Sequence, residues 1–437
     1  MNVHSDGYTR DTFSFCPKCG KTLKAFIVEL KGKIFLVKKC DTHGQFKLKI
    51  SCHAWYYKDL NNYYFKVMPS RMKQKRFYIY MSNRCNLNCP ICLLEPNQNK
   101  MEDIDLNAFE KIIRAYPRFR YYLYGAEPTL HDDLPDWILL LKRYGNLVNI
   151  HTNGIKLGDY SYLKKLKESG LGYVSLQFDG FDDEIYLRLR NQKLLDLKLK
   201  ALDNLEKLNI PTGLNVTIAK GVNETQVGRI IDYAVKKPFL RDVSFATVSF
   251  LGDAEKNFSP EDLLMPDDLI DIAVRETKGK ISRRNIYLFQ KLYYTVLSIF
   301  NIRRCYNFHH IALVRGNQGY QTFDELFSLA DFEKEFSRFS QQVNKNRMLA
   351  SGYFFLKFIM HILRNPARKI QALPFNMLLP GKKRNIRIPQ KILLLSFGTV
   401  CDKYKYDSAV SRYCGQGFVY NQDGKPVLSD SISNTLL

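Results

Sequence analysis

The sequence predicts an α/β protein: a partial (β/α)6 barrel, preceded by a small β metal domain and followed by a mainly helical region. Three observations carry this. Between about Phe77 and Gly252, six strand-like segments alternate with helix-like ones; such alternation implies parallel strands joined by helical crossovers. Ahead of it, Cys16-x2-Cys19 and Cys40-x2-His43 bracket two apolar segments of strand period. From Asp253 onward the alternation stops and the chain turns basic and aromatic. A flat doubly wound sheet is the alternative for the middle region.

The bulk properties narrow the setting. The chain's 437 residues predict two or three domains. The start, "MNVHSDGYTR", has no apolar run of signal-peptide type, and the longest apolar stretch, "YFFLKFIMHIL", is too short to span a bilayer and contains Lys357. A cytoplasmic protein is expected, with the inner face of a membrane as a peripheral location. In a reducing compartment, clustered cysteines bind metal or do chemistry. The net charge of +23 favours an anionic partner: nucleic acid, a phospholipid surface or a phosphorylated substrate.

The elements follow in order. Residues 1–66 form the first domain. "AFIVEL" and "KIFLVKKC" alternate as strands, and Cys16, Cys19, Cys40 and His43 have zinc-ribbon or rubredoxin spacing, two ligands per knuckle. Zinc and iron both suit such a tetrahedral set, and Cys52 is an alternative to His43 as the fourth ligand. "MPSRMKQKR" is a basic linker. Residues 77–252 carry strands at "FYIYMS", "RYYLYG", "LVNIHT", "YVSLQF", "GLNVTI" and "VSFATVSF". Just after the first of these, Cys85, Cys89 and Cys92 stand in C-x3-C-x2-C spacing. A loop at a strand's C-terminal end is where such folds place their chemistry. Three thiolates hold three irons of a [4Fe–4S] cluster and leave the fourth open to a small molecule. Zinc knuckles usually come as two C-x2-C pairs, and no second pair follows closely.

The middle region resembles the radical SAM superfamily. "CNLNCPIC" looks like its cysteine signature. "YGAEP" sits where that superfamily has a Gly-Gly-Glu-Pro motif, and "HTNG", "LQFDG" and "GVNETQVG" follow at the later strand ends. The resemblance implies a [4Fe–4S] cluster on Cys85, Cys89 and Cys92, with S-adenosylmethionine held by Gly125, Ala126, Glu127, Pro128, Asn153, Gln177 and Asp179. Ala126 replaces the usual second glycine, which a methyl group permits only if its φ is not positive. Asp179–Gly180 also reads as a turn. The implied activity is reductive cleavage of S-adenosylmethionine to a 5′-deoxyadenosyl radical that attacks an unactivated carbon. The reducing partner is a ferredoxin- or flavodoxin-like protein. No residue is assigned to catalysis itself.

With its N-terminal "CPKC…CDTHG", the chain is similar to a branch containing archaeal tetraether lipid synthases and radical SAM pterin methyltransferases. Those relatives carry further C-terminal cysteines, and here Cys305, Cys401 and Cys414 are candidates for an auxiliary cluster. His309, His310 or a substrate would complete it, and buried inert thiols are the plainer alternative. In residues 253–437, helices are expected at Ile281–Ile302 and Met348–Arg364. The first, flanked by Arg283, Arg284, Arg303 and Arg304, is either a core helix or a basic amphipathic helix on a membrane. The second is followed by "RNPARK". Taken together, these features favour radical modification of a lipid chain, by carbon–carbon coupling or alkylation. Methylation of a pterin-like small molecule is the alternative. A nucleic-acid-binding protein with a structural cluster is the rival from another class, but it leaves "YGAEP" and "LQFDG" without a role.

Overall fold

The computed structural model describes residues 7–69, 76–94, 96–97, 105–117, 120–317, 319–364, 388–413, 417–419 and 426–427. The first domain is an antiparallel sheet of β1 (Thr9–Phe15), β2 (Thr22–Leu30), β3 (Lys33–Cys40) and β4 (Gly44–Ser51), in that order. Lys31 and Gly32 both take positive φ, 51° and 69°. That is the mirror-image turn whose twist matches a tight hairpin between β2 and β3. Helix Ala54–Val67 follows.

The central sheet begins with β5 (Arg76–Tyr80), β6 (Arg120–Tyr124), β7 (Leu147–Thr152), β8 (Tyr173–Gln177), β9 (Thr212–Ile218) and β10 (Leu240–Thr247). These pair in chain order, every pair parallel. Each lies on an expected strand. One face carries Ile79, Leu123, Ile150, Leu176, Val216 and Phe245, all fully or nearly fully buried under the crossover helices. The helices are delimited by local chemistry. Asp105 caps Leu106–Ala115 by accepting from the backbone of Asn107 and Ala108, and Asp159 does the same for Tyr160–Ser169. Gly170, at φ 116°, closes the latter in the left-handed conformation. Phe109 stacks on Trp137 at 4.0 Å, locking two crossovers together.

The region after Gly252 contains the expected helices, notably Pro266–Glu276, Arg283–Ile299, Glu333–Gln342 and Arg347–Leu363. It also contributes strands. β11 (Phe308–Gly316), β12 (Gly319–Thr322) and β13 (Ile392–Gly398) extend the sheet beyond β10, with β13 parallel to β10 and β11 antiparallel to β13. β14 (Gly417–Val419) runs parallel to β5 at the other side, and β15 (Pro426–Val427) pairs with it. Among the described residues the sheet is thus eleven strands wide.

Helix Arg283–Ile299 is a core helix. It is buried on nearly every side, and it packs on helix Ala54–Val67 through Tyr63–Thr295 (2.6 Å) and the Tyr64–Tyr294 ring pair. Its arginines are engaged as well. Arg283 pairs with Asp267 and Asp271, and Arg284 with Glu333. Arg303 donates to the Pro69 carbonyl and Arg304 to that of Arg303. The membrane-surface alternative for this helix is therefore corrected: Arg283 is tied down inside the protein, Arg284 is paired at the surface, and most of the helix's apolar side chains are buried against protein.

Candidate active site and metal centres

The C-terminal ends of β5–β10 converge on one rim, and the loop after β5 holds Cys85, Cys89 and Cys92. The loop is shaped from within. Asn97, at φ 64°, receives the Cys85 N–H on its side-chain oxygen (3.1 Å) and returns a bond to the Cys85 carbonyl (3.2 Å). Backbone N–H groups point at two of the sulfurs: Leu87 N–H at Cys85 Sγ (3.4 Å) and Leu94 N–H at Cys92 Sγ (3.5 Å). Burial pushes the Cys85 thiol up to about 12 and the Cys92 thiol up to about 11, and the neighbouring sulfurs add to both. Thiolates held this way need a compensating positive centre. The three sulfurs do not form a set lying within 4.8 Å of one another, as single-ion ligands would. That wider triangle, with amide donors on the sulfurs, suits a polynuclear iron–sulfur cluster.

The strand-end motifs surround this loop. Gly125 has φ 149°, and a Cβ there would stand 2.7 Å from the Ser82 carbonyl, so glycine is required for β6 to approach the cysteine loop. Ala126 does not have positive φ, which is why alanine is accepted; its N–H and that of Glu127 bond to the Ser82 and Arg84 carbonyls. Pro128 opens a short 3-10 turn. Glu127 is buried, and its carboxylate accepts from Thr129 N–H and Oγ1, Thr152 Oγ1 (2.6 Å) and Asn153 N–H (2.7 Å). It staples the β6 loop to the β7 loop. Asn153 reaches across to Asn86 at 2.8 Å. Asp179 is fully buried and forms a two-pronged ion pair with Arg190 (2.7 and 3.1 Å), and also accepts from Thr217 N–H. Gln177 donates to Asp179 and accepts from Lys198, whose ammonium also bonds the Asn153 carbonyl.

Arg190 and Lys198 were not foreseen from the sequence. Arg190 ends helix Asp183–Arg190 and stands beside Cys89 as well as Asp179, which hold its charge on. Burial pulls Lys198 down to about 7. In the sequence each looks like an ordinary basic residue on an amphipathic helix; only the helix's seating on the sheet turns it inward.

Cys16, Cys19, Cys40 and His43 come together at the β1–β2 and β3–β4 turns, all ligand atoms within 4.8 Å of one another. Cys16 Sγ and Cys40 Sγ lie 3.6 and 3.5 Å from His43 Nδ1, and Cys19 Sγ lies 3.9 Å from Cys40 Sγ. This fits one tetrahedral zinc or iron ion. His43 completes the set rather than Cys52, whose N–H instead bonds Asp267. Cys305 and Cys401 lie near enough to each other to interact, next to Asn307, which donates to Cys401 Sγ at 3.0 Å. His309 bonds Tyr56 and His310 stacks on Tyr293. Cys414 lies outside the described residues.

The inner face of β5–β10 is polar and aromatic. Tyr78 and Tyr122 stack at 4.7 Å, with Tyr124 and the His151 ring against them. Burial drives His151 down to about 4, so its ring is neutral at pH 7. Farther round, Asn215 bonds Ser175 (2.7 Å), and the Tyr173 hydroxyl donates to Asp242 across Gly213.

Comparison with known proteins identifies the class. Residues 79–234 match the Radical SAM superfamily, and residues 8–51 match the HMPTM N-terminal zinc ribbon domain. The chain therefore carries a radical SAM domain, of a kind that uses a [4Fe–4S] cluster and S-adenosylmethionine, behind a zinc ribbon. Among particular proteins, it is 36% identical over 309 residues to the 7,8-dihydro-6-hydroxymethylpterin dimethyltransferase of Methanocaldococcus jannaschii, covering 64% of this chain and 61% of that one. It is 29% identical over 161 residues to a probable GTP 3′,8-cyclase of Pyrococcus abyssi, covering 36% and 52%. The chain thus spans about half to three-fifths of these relatives' length. A solved structure of Streptococcus suis SuiB bound to S-adenosylmethionine aligns at 19% identity and a TM-score of 0.42, over 52% of this chain and 50% of that one.

Proposed function

We propose that the chain is a radical SAM enzyme that methylates or alkylates a pterin-like small molecule. One observation carries the substrate class: the inner face of β5–β10 presents Tyr78, Tyr122 and His151 opposite Ser175, Asn215 and Asp242. Aromatic walls and hydrogen-bonding groups suit a flat polar heterocycle, whereas a lipid chain calls for an apolar bore. The pterin-acting relative supports the same class.

In this proposal residues 1–66 are the metal domain, 77–252 the catalytic core and 253–437 the accessory region. Cys85, Cys89 and Cys92 would hold the cluster by three irons. Gly125–Pro128, Asn153 and Gln177 would border the S-adenosylmethionine, with Glu127 and Asp179 shaping that border through Asn153 and Arg190. When bound, cluster and cofactor together supply a one-electron reductive cleavage yielding a 5′-deoxyadenosyl radical. The chain's own residues orient the substrate in the strand-lined bore, and the neutral His151 and the tyrosines leave the β5–β7 side of it uncharged. A small reducing protein provides the electron. Cys305 and Cys401, with Cys414, are proposed to hold a second cluster, so anaerobically prepared protein should contain about eight cluster irons per chain rather than about four.

Anaerobic incubation with S-adenosylmethionine, reductant and a reduced pterin tests the function. The expected result is 5′-deoxyadenosine and an alkylated pterin, both lost when Cys85, Cys89 and Cys92 become alanine. Deoxyadenosine formation indifferent to pterin would sink the substrate class.

A lipid substrate is the second reading, favoured by one feature. Met348, Leu349, Leu356, Met360 and Leu363 of helix Arg347–Leu363 are all exposed, Met348 by 80%. Such a face on a basic protein suits an anionic membrane surface at the cytoplasmic side. Co-sedimentation with anionic vesicles that disappears in Leu356→Asp would support it. Indifference to the vesicles at low salt would remove it.

A further inference from the structure

Asp242 stands out on the inner face of the sheet. Its Oδ2 accepts the Tyr173 hydroxyl, and among the described residues no ion pair and no other hydrogen bond reaches the carboxylate. A carboxylate offers about four acceptor positions, and on this half-buried side chain most of that capacity is left over. Arg120, at the start of β6, is the charged neighbour of the pair and acts on the Tyr173 hydroxyl. The site is also built by the backbone. Gly213 lies between Asp242 and Tyr173, and a Cβ there would overlap both the Tyr173 hydroxyl and Asp242 Oδ1. Any larger residue would displace the pair.

The height of Asp242 in the bore is informative. It is in register with Gly213, and Gly213 with Ser175, which lies two residues before Gln177. At about 3.3 Å per residue, Asp242 sits roughly 7 Å below the level of Gln177. Gln177 and Asn153 mark the side where S-adenosylmethionine is proposed to lie. The stacked Tyr78–Tyr122 pair and His151 form the wall across from it, and Tyr122 lies close enough to interact with Tyr173.

We propose that Asp242 anchors the substrate by its aminopyrimidinone edge, the ring N–H and exocyclic amino group donating to the carboxylate, with Tyr173 holding the carboxylate in place. A bicyclic heterocycle standing on Asp242 extends one ring toward Gln177 and exposes its far substituents to the cofactor side. Two parallel N–H donors on one carboxylate form a charge-assisted, two-pronged contact, which discriminates against an analogue carrying oxygen in place of the amino group. This assignment rests on the pterin-like function proposed above.

Calorimetry on the full-length, cluster-loaded protein without S-adenosylmethionine tests it. The probes are 7,8-dihydro-6-hydroxymethylpterin and its 2-oxo analogue. The parent should prefer the 2-amino compound, and Asp242→Asn should weaken that compound by roughly 10-fold or more while leaving the analogue almost unaffected. Asparagine keeps the acceptor for Tyr173, and a retained cooperative melting transition and cluster spectrum show that the variant is folded. Tyr173→Phe should weaken the 2-amino compound less than Asp242→Asn does. If the parent binds the pterin and Asp242→Asn binds it equally well, the anchor is wrong while the pterin-like function stands. If the parent binds neither probe, the anchor and the substrate class fall together.

Discussion

Glu127 shows how a single side chain organises the site. Its carboxylate receives four donors from two loops, and it is 1% exposed. Glu127→Gln would turn one acceptor oxygen into a donor facing the Asn153 N–H or the threonine hydroxyls. Stranding buried donors costs about 1–3 kcal/mol, so a lowered melting temperature is expected, together with a weakened spectral response of the cluster to S-adenosylmethionine. A variant as stable as the parent would show that the staple is dispensable. Asp242 predicts a pH effect. Burial raises its carboxyl from the usual value to about 6, opposed by the Tyr173 bond. The folded chain therefore keeps a proton that the unfolded chain releases, and this contribution to stability fades as pH rises from about 4 through 6. Asp242→Asn removes the effect, so its melting temperature relative to the parent should climb between pH 4 and 7. A flat difference would mean that the carboxyl titrates normally.

Glycines illustrate the scale of elements, because each is demanded by a different neighbour. Gly125 is needed for φ and for close approach to Ser82, whereas Gly213 has ordinary φ and is needed for space alone. Gly221 has φ 71°, and a methyl group added there would meet nothing within 4 Å. Gly213→Ala should thus disturb the inner face and cost about 1–3 kcal/mol through overpacking, with pterin binding lost. Gly221→Ala should cost only about 1 kcal/mol of backbone strain and leave binding intact. Chemical denaturation and calorimetry of the two variants would reveal the contrast, and equal behaviour would contradict it. The same scale explains which strands the sequence exposes. β5–β10 each end in a turn or motif and are separated by amphipathic helices. β13, "ILLLSFG", is an apolar run broken only by Ser396, and the first half of β11 is buried between neighbours. Runs without alternation do not distinguish a buried strand from a buried helix.

At the scale of the whole molecule, the zinc ribbon is joined to chain far away in sequence. Arg10 and Thr12 of the zinc ribbon bond Asp407, and Lys38 donates to the Lys403 and Tyr404 carbonyls. The ribbon is thus clamped onto the loop that follows β13. Removing its metal should loosen that loop as well. The variant Cys16→Ser/Cys19→Ser should lose one equivalent of zinc or iron by elemental analysis, melt earlier, and become open to proteolysis near residues 402–411. Unchanged protection of that loop would show that the ribbon's contacts persist without metal.

The sequence by itself determined the β/α succession, the cysteine loop after the first core strand, three of the ribbon's ligands with His43 or Cys52 as the fourth, and the motifs at each strand end. These are local signals: spacing within a loop, alternation along a strand, periodicity along a helix. Tertiary structure decided the rest. Asp179 and Arg190 are eleven residues apart, but their pairing beside Cys89 depends on how one helix packs on the sheet. Tyr173 and Asp242, separated by 69 positions, meet because β8, β9 and β10 pair in one register and Gly213 leaves room between them. Helix Arg283–Ile299 has the composition of a membrane-surface helix and becomes core because Asp267, Asp271 and Glu333 stand where its arginines reach. A charge or an apolar face is written locally, whereas the group that satisfies it is supplied by chain far away, and only the folded packing names that partner.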